Sequence, residues 1–495
     1  MILEKIFNLA CTMEVITTER GAKKLCVDGY IYTKNKQYQD RITWRCVLRG
    51  QPTKCTGSLH TPLSMATSVE MNPHNHPADS AKVEVAKFRC STKRRAAETL
   101  ERPNQILTLA LPSLSDDAKA TLPDSETIKR TLRRQRAKHM PPDPKQLQNL
   151  IVSGDWALTA DPVPTQFLLH DSGTDSNRRI MVFSTAEHLR VLAASVTWAM
   201  DGTFSVAPLL FGQLFIIHGQ VDNTFVPLVY ALLQHKDQVT YEELFQVLLN
   251  HGAEPNTVII DFERASRQAI TSVFGPEVVI RCCFYHLTQS TWRKIQGLGL
   301  STLYKENEEF RHFCAQLDGL AFLPLEEVKE GMDHLQDIAS EDAAPLVDYF
   351  NQTYVSGVYR IRNNTNSDTI KMRHVPPAFP PATWNMHEAT LEGDPRTNNI
   401  SEGFNNKLAH LVGTQHPSVW RLIECLRSEK SRVDTVLLQD ARGHKPYKRR
   451  RLHFQKLQER LMNLCHDRIQ GKKSIPEFLR GIGFNLRTAP KATTL

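Results

Sequence analysis

Three acidic residues sit where metal chemistry could use them: Asp201 in W-A-M-D-G-T-F, Asp261 in V-I-I-D-F-E-R-A and Glu402 in T-N-N-I-S-E-G-F. The first two each end a short run of apolar and β-branched residues. The third follows a helix start. Hard divalent cations take oxygen ligands, and two close cations need several carboxylates to offset their charge. Two strand ends and one helix carrying such groups would suit metal-assisted phosphoryl transfer on nucleic acid. Taken singly, each residue has a plainer reading: Asp261 could cap the helix that follows it, and Asp201-Gly202 could form a turn. Glu263 is a nearby fourth carboxylate, and the helix start accounts for it.

Cys46, Cys55, His74 and His76 form a second constellation. Structural zinc takes four nitrogen or sulfur ligands in a tetrahedron. His74-Asn75-His76 suits an extended segment, where alternate residues point the same way. A sheet this small buries too little surface to be stable alone, so bound metal would supply much of its folding energy. A third feature is cationic. Lys129, Arg130, Arg133, Arg134, Arg136 and Lys138 crowd about three helical turns, and no acid lies between Ile128 and Pro142. One-signed helices suit phosphate contact. Lys93-Arg94-Arg95 adds a second patch, and Lys445-Pro-Tyr-Lys-Arg-Arg-Arg451 resembles a nuclear-localisation run or a further phosphate contact.

The elements that would position these groups follow from patterning. The chain has 495 residues, 41% of them hydrophobic, enough for several domains, and a formal net charge of +8. Its ten cysteines are too sparse for a disulfide framework and fit a reducing, intracellular setting. No segment reads as a membrane span or a cleaved leader. Alternation over 29–33 and 41–47 predicts short strands. Basic helices are expected at 88–100 and 125–138, ending at a proline-rich stop. Strands are expected at 196–203, 213–221, 225–232, 257–261 and 277–283, with helices at 240–252 and 263–274. Three strands, a helix, a strand, a helix and a strand is the order of an RNase H-like core. A mostly helical stretch, roughly 288–390, would then be an insertion, before a short helix over 398–413.

The N-terminal motif, Gly29-Tyr30-Ile31-Tyr32, Trp44-Arg45-Cys46, Cys55 and His74-Asn75-His76, resembles a FLYWCH zinc finger over about 15–77. That resemblance implies a small zinc-clamped antiparallel sheet that binds DNA or protein. Cys55 is followed by Thr56-Gly57-Ser58 where the family often carries a basic residue, which leaves Arg41, Arg45, Arg49 and Lys54 as candidate DNA contacts. The core motifs resemble the MULE transposases, Mutator-like relatives within the DDE group. They are Asp201-Gly202-Thr203-Phe204, 227–232, 258–261, Arg281-Cys282-Cys283-Phe284-Tyr285-His286 and Thr397-Asn398-Asn399-Ile400-Ser401-Glu402. By that resemblance Asp201, Asp261 and Glu402 would be the catalytic acids and would hold Mg²⁺ or Mn²⁺, with Asp201 bridging two ions. Cys283 and His286 match the family's C-x2-H pair and are accessory candidates, while Cys282 reads as core. Asn398 and Asn399 could cap the helix or orient Glu402.

The expected fold is thus multidomain α+β: a zinc finger at 15–80, a basic helical region at 81–150, an RNase H-like core at 151–290 completed at 395–435, a helical insertion at 291–394, and a basic tail at 436–495. The expected activity is metal-dependent cleavage and transfer of double-stranded DNA ends by a nuclear homodimer. The alternative is a domesticated, catalytically silent DNA-binding regulator.

Overall fold

Alternation of burial sets up the first sheet. Along Arg41–Cys46, Ile42, Trp44 and Cys46 are buried while Arg41 and Arg45 are exposed. The computed structural model describes residues 13–17, 22–50, 52–222, 224–362, 371–393, 399–444 and 452–488. Two units separate, Met1–Asp143 and Pro144–Leu495. Asn398 and the basic run 445–451 lie outside the described residues.

In the first unit, β1 (Glu14–Thr17), β2 (Lys23–Val27), β3 (Tyr30–Gln37), β4 (Arg41–Cys46), β5 (Ser58–Pro62) and β6 (Val69–Asn72) pair antiparallel in chain order. Asp28 and Gly29 join β2 to β3 with φ of 47° and 80°, the mirror-image turn that matches strand twist and for which Asp-Gly is a favoured pair. One face of the sheet buries Leu25, Tyr32, Ile42, Trp44 and Leu59. The indole N–H of Trp44 donates to Thr61 Oγ1 at 3.0 Å, so the buried ring leaves no polar group unpaired. Ile16 and Cys26 of the other face meet Val83 of α1 (Ser80–Glu98). This helix starts eight residues before the sequence pattern suggests, because Asp79 caps it by accepting from Lys82 N. Further helices α2 (Pro103–Ala110), α3 (Asp116–Ala120) and α4 (Ser125–Ala137) pack on it through Phe88, Ala96, Ile106, Leu107 and Leu132.

The second unit is built on a seven-stranded sheet. Its elements are β7 (Leu168–Asp171), β8 (Ile180–Phe183), α5 (Ala186–Ala194), β9 (Thr197–Thr203), β10 (Gln213–Val221), β11 (Thr224–Leu233), α6 (Gln238–Asn250), β12 (Thr257–Ile260), α7 (Arg264–Phe274) and β13 (Val279–Cys282). The spatial order is β13-β12-β9-β10-β11-β8-β7. The three strands β13, β12 and β9 run parallel, and β9, β10, β11, β8 and β7 pair antiparallel in turn. Five of these strands match the sequence pattern; β7 and β8 extend the sheet beyond it. On one face, Trp198, Met200, Phe215 and Ile217 pack with Leu244 and Phe245 of α6 and Ile270 and Phe274 of α7.

After β13 the chain turns helical: α8 (Phe284–Gly297), α9 (Ser301–Glu306), α10 (Glu308–Gly319), α11 (Val328–Asp337) and α12 (Ala344–Phe350). A hairpin, β14 (Val358–Arg362) with β15 (Lys371–Val375), and α13 (His387–Leu391) follow. Next, α14 (Asn399–Val412) returns to the sheet and α15 (Val419–Ala441) adds Val433 to its core. The region expected as a basic tail contributes α16 (Leu452–Ile469) and α17 (Ile475–Thr488). Their Cys465, Phe478, Leu479 and Ile482 are buried with Leu320, Phe322, Phe350 and Trp384, so these helices complete the helical body.

Candidate functional site

The four N-terminal ligand candidates converge. Among the described residues, one Cys/His/Asp/Glu group brings its ligand atoms within 4.8 Å of one another: Cys46, Cys55, His74 and His76. Cys46 ends β4, Cys55 follows the next loop, and the two histidines follow β6. Cys46 Sγ lies 3.3 Å from His76 Nε2, Cys55 Sγ 3.3 Å from His74 Nδ1, and the two ring nitrogens 3.2 Å apart. Zinc bonds of about 2.0 Å to nitrogen and 2.3 Å to sulfur make tetrahedral edges of roughly 3.3–3.5 Å, so the donor set has the size and chemistry of a structural zinc site. The outer nitrogens are also held. Tyr32 Oη lies 2.7 Å from His74 Nε2, and His76 Nδ1 donates to the Pro77 carbonyl at 2.9 Å. Such partners fix the tautomer and aim the ligand nitrogen. The backbone N–H groups of Leu48 and Gly57 point at the sulfurs of Cys46 and Cys55. Tyr30 stacks flat on His74 at 3.7 Å. Gly57 is needed for space, since a Cβ there would stand 2.4 Å from His74 Nδ1.

The carboxylates gather at the opposite face of the second sheet. On β9, Trp198 and Met200 point into the helix-covered core, so Ala199 and Asp201 point the other way. Ile259 pairs with Ala199 across the parallel β12–β9 ladder. Asp261, two residues beyond Ile259 and just past the end of β12, follows on the same side as Asp201. Helix α14 lies against this face: Phe404 meets His218 edge-on, Ser401 Oγ is 3.4 Å from His218 Nδ1, and Asn405 Nδ2 donates to Asp201 Oδ2 at 2.8 Å. The same helix carries Glu402, whose Oε1 is 3.5 Å from His286 Nε2 in the first turn of α8.

Electrostatics tie the three acids together. Burial, then the charge of Asp261 and to a lesser degree that of Glu402, pushes the Asp201 carboxyl up to about 7. Burial raises Glu402 as well, and burial lowers His286. Carboxyls that resist ionising, as those of Asp201 and Glu402 do, are ones that a divalent cation would relieve. One buried polar atom beside Asp201, Asn405 Oδ1, has no hydrogen-bond partner. The oxygen-rich donor set and this orphaned acceptor fit a hard cation with its waters, although the carboxylate oxygens are spread more widely than the ligand atoms of the zinc-type cluster.

Several residues take places that patterning alone does not give. Glu263 precedes α7 but makes no capping bond; it accepts from Tyr241 Oη at 3.0 Å and faces Lys236 Nζ at 3.9 Å. Cys282 is buried in the helical core, and Cys283, also buried, precedes α8. Asn405 was not singled out from sequence; its signal is the helical spacing of three from Glu402. Among the cations, Arg41, Arg45, Arg49 and Lys54 are exposed on the zinc-type sheet and its loop. On α4, Arg130, Arg133 and Arg134 are exposed, and Lys129 pairs with Glu126 at 2.6 Å. Arg136 points inward and donates to the carbonyls of Ala96, Thr99 and Glu101 at 2.7–3.1 Å. Lys93, Arg94 and Arg95 lie within α1, where Arg95 pairs with Glu101.

Comparison with known proteins gives two family matches along the chain. No curated protein matches the chain. Among solved structures, the Drosophila P element transposase strand transfer complex is similar at 10% identity over 82% of this chain and 92% of that one, with a TM-score of 0.20. The family model of the MULE transposase domain matches residues 197–290, which hold Asp201, Asp261, Cys283 and His286. The FLYWCH zinc finger domain matches residues 15–76, which hold all four zinc-type ligands. This chain therefore joins a FLYWCH zinc finger domain at its N-terminal end to a MULE transposase domain at residues 197–290.

Proposed function

We propose that the protein is a DNA transposase that cleaves and joins strands with divalent metal, on an RNase H-like sheet, after its zinc finger and basic helix α4 bind DNA. One observation carries this reading: helix α14 brings Glu402 and Asn405 to the same sheet face as Asp201 and Asp261, 204 residues separating the bonded pair Asn405 and Asp201. Asp201, Asp261 and Glu402 would hold Mg²⁺ or Mn²⁺. Bound there, the cations would supply activation of a water or 3′ hydroxyl and stabilisation of the leaving oxygen. The chain's own groups do the rest. Asn405 holds one oxygen of Asp201 and thereby fixes the carboxylate plane. His286 faces Glu402 and restrains it against the sheet. Glu263 belongs to the wall of the site, tied to Tyr241. Action on chromosomal DNA implies a nuclear protein, and joining two DNA ends implies a dimer.

The test is nicking and strand transfer by the purified full chain on its element's terminal DNA with Mg²⁺ or Mn²⁺, alongside Asp201→Asn. Products from the wild type alone support the reading. Equal products from both proteins would remove Asp201 from the chemistry. Specific DNA binding with no cleavage by either would point to the domesticated regulator.

A further inference from the structure

We propose that a polar cleft beside the carboxylates binds one nucleic-acid strand by its phosphates, along a track running from Phe204 through Lys236 to Arg264. The proposal rests on the transposase reading for its substrate class, but its residues are distinct from the metal-holding set. The cleft encloses about 500 Å³ and is lined by Gln238, Arg264, Gln268, Thr271 and Ser272, with Arg267 and Ala378 as its wall. No carboxylate lines it. The two arginines differ in use. Arg267 donates to the Ala378 carbonyl at 3.2 Å and lies over Phe379, so it builds the wall. Arg264 is exposed and, among the described residues, has no hydrogen-bond or ion-pair partner. A guanidinium left open above a concave row of amides and hydroxyls matches a phosphodiester, which offers charge and acceptors but no donor.

The cleft adjoins the candidate catalytic centre. Arg264 is three residues beyond Asp261, and Gln238 two beyond Lys236. Lys236 Nζ stands 3.9 Å from Glu263 and 4.5 Å above the ring of Phe204. Phe204 is itself three residues beyond Asp201 and 49% exposed. An exposed ring with a cation beside it offers a face for an unpaired base and a partner for the adjacent phosphate, a pairing that recurs in single-strand binding. An acidic peptide would use the cations and leave the ring idle. A base-paired duplex has no free base face to give it. A single strand leaving the scissile phosphate uses both.

The experiment uses the full chain carrying Asp201→Asn, so that no DNA is consumed, with a photo-crosslinking amino acid in place of Thr271. The probe is a labelled duplex with a 3′ single-stranded extension. An adduct on the extension is expected, competed by unlabelled single strands. Lys236→Ala with Arg264→Ala should lower its yield at least about fivefold, and Lys329→Ala, an exposed lysine of the helical body, should not. Thermal melts guard against misfolding of these surface variants. No adduct at Thr271, or one indifferent to Lys236 and Arg264, overturns the track. The catalytic reading fails separately: adducts that form as expected while the Asp201-containing protein never nicks DNA would leave a strand-binding cleft without a transposase.

Discussion

Asp201 bears the conflict of charges in the site. Its folded carboxyl titrates near 7 because burial and neighbouring carboxylates oppose ionisation, whereas an unfolded aspartate titrates near 4. Between those values the folded chain holds a proton that the unfolded chain has lost, so stability falls as pH rises through the window and the penalty is complete above it. Asp201→Asn removes the penalty. In chelator at pH 8 the variant should melt higher than the wild type, by roughly 1–3 kcal/mol, with the gap closing toward pH 4. Melts that coincide at pH 8 would show that the cluster is not strained. Asn405 is the complementary test. Its Nδ2 holds Asp201 and its Oδ1 is buried without a partner, so Asn405→Ala should weaken Mn²⁺ binding by about 10–100-fold in calorimetry. Unchanged affinity would reduce Asn405 to packing. Sequence patterning finds Asp201 because it ends an apolar run. It does not find Asn405, because one asparagine in a helix looks like another until the helix is docked.

The same division holds among elements. In the first sheet, Tyr32→Phe deletes the hydroxyl 2.7 Å from His74 Nε2 and should cost about tenfold in zinc affinity while the sheet still folds with metal. Chelation of zinc should abolish its near-UV signal, and persistence of that signal would mean the sheet folds without metal. Helix α4 makes a sharper prediction, since its cations have two jobs. Arg136→Ala leaves three carbonyls without their donor and should destabilise the first unit by about 1–3 kcal/mol. Replacing the exposed Arg130, Arg133 and Arg134 with alanine should change stability by no more than about 0.5 kcal/mol yet flatten the salt dependence of DNA binding. Equal melting of the two variants would undo that distinction. The charge run was legible; the inward turn of one member was not, because it depends on where α1 ends.

At the scale of the whole molecule, the second unit joins segments far apart in sequence. Helices α16 and α17 complete the core of residues 284–391, and Arg468 grips Glu327 with bonds of 2.7 and 2.8 Å. Deleting residues 452–495 would uncover the faces of α10 and α11 that pack on α17, where Ile475, Leu479 and Ile482 close over Gly331 and Gly319. The truncated chain should be cut within 284–391 by trypsin under conditions that leave the full chain intact, and equal resistance would show that the body stands alone. The strands β7 and β8 escape sequence reading for a related reason: Leu168–Asp171 and Ile180–Phe183 are four residues each, too short for alternation to register. β8 is a strand because β11 offers it an edge, and β7 because β8 then offers the next one.

What the sequence determined by itself is local and chemical: sulfur and imidazole donors at spacings a small sheet can bring together, carboxylates at the ends of apolar runs, and cations clustered on one helix. Side-chain type and near-neighbour spacing are covalent facts. The tertiary structure decided the rest. It brought α14 against β9 across 204 residues, turned Arg136 inward while Arg134 stayed exposed, freed Glu263 from helix capping, and left Arg264 open over a cleft. Those outcomes depend on which faces pack against which, and that is set by the burial of apolar surface over the whole unit rather than by any segment read alone.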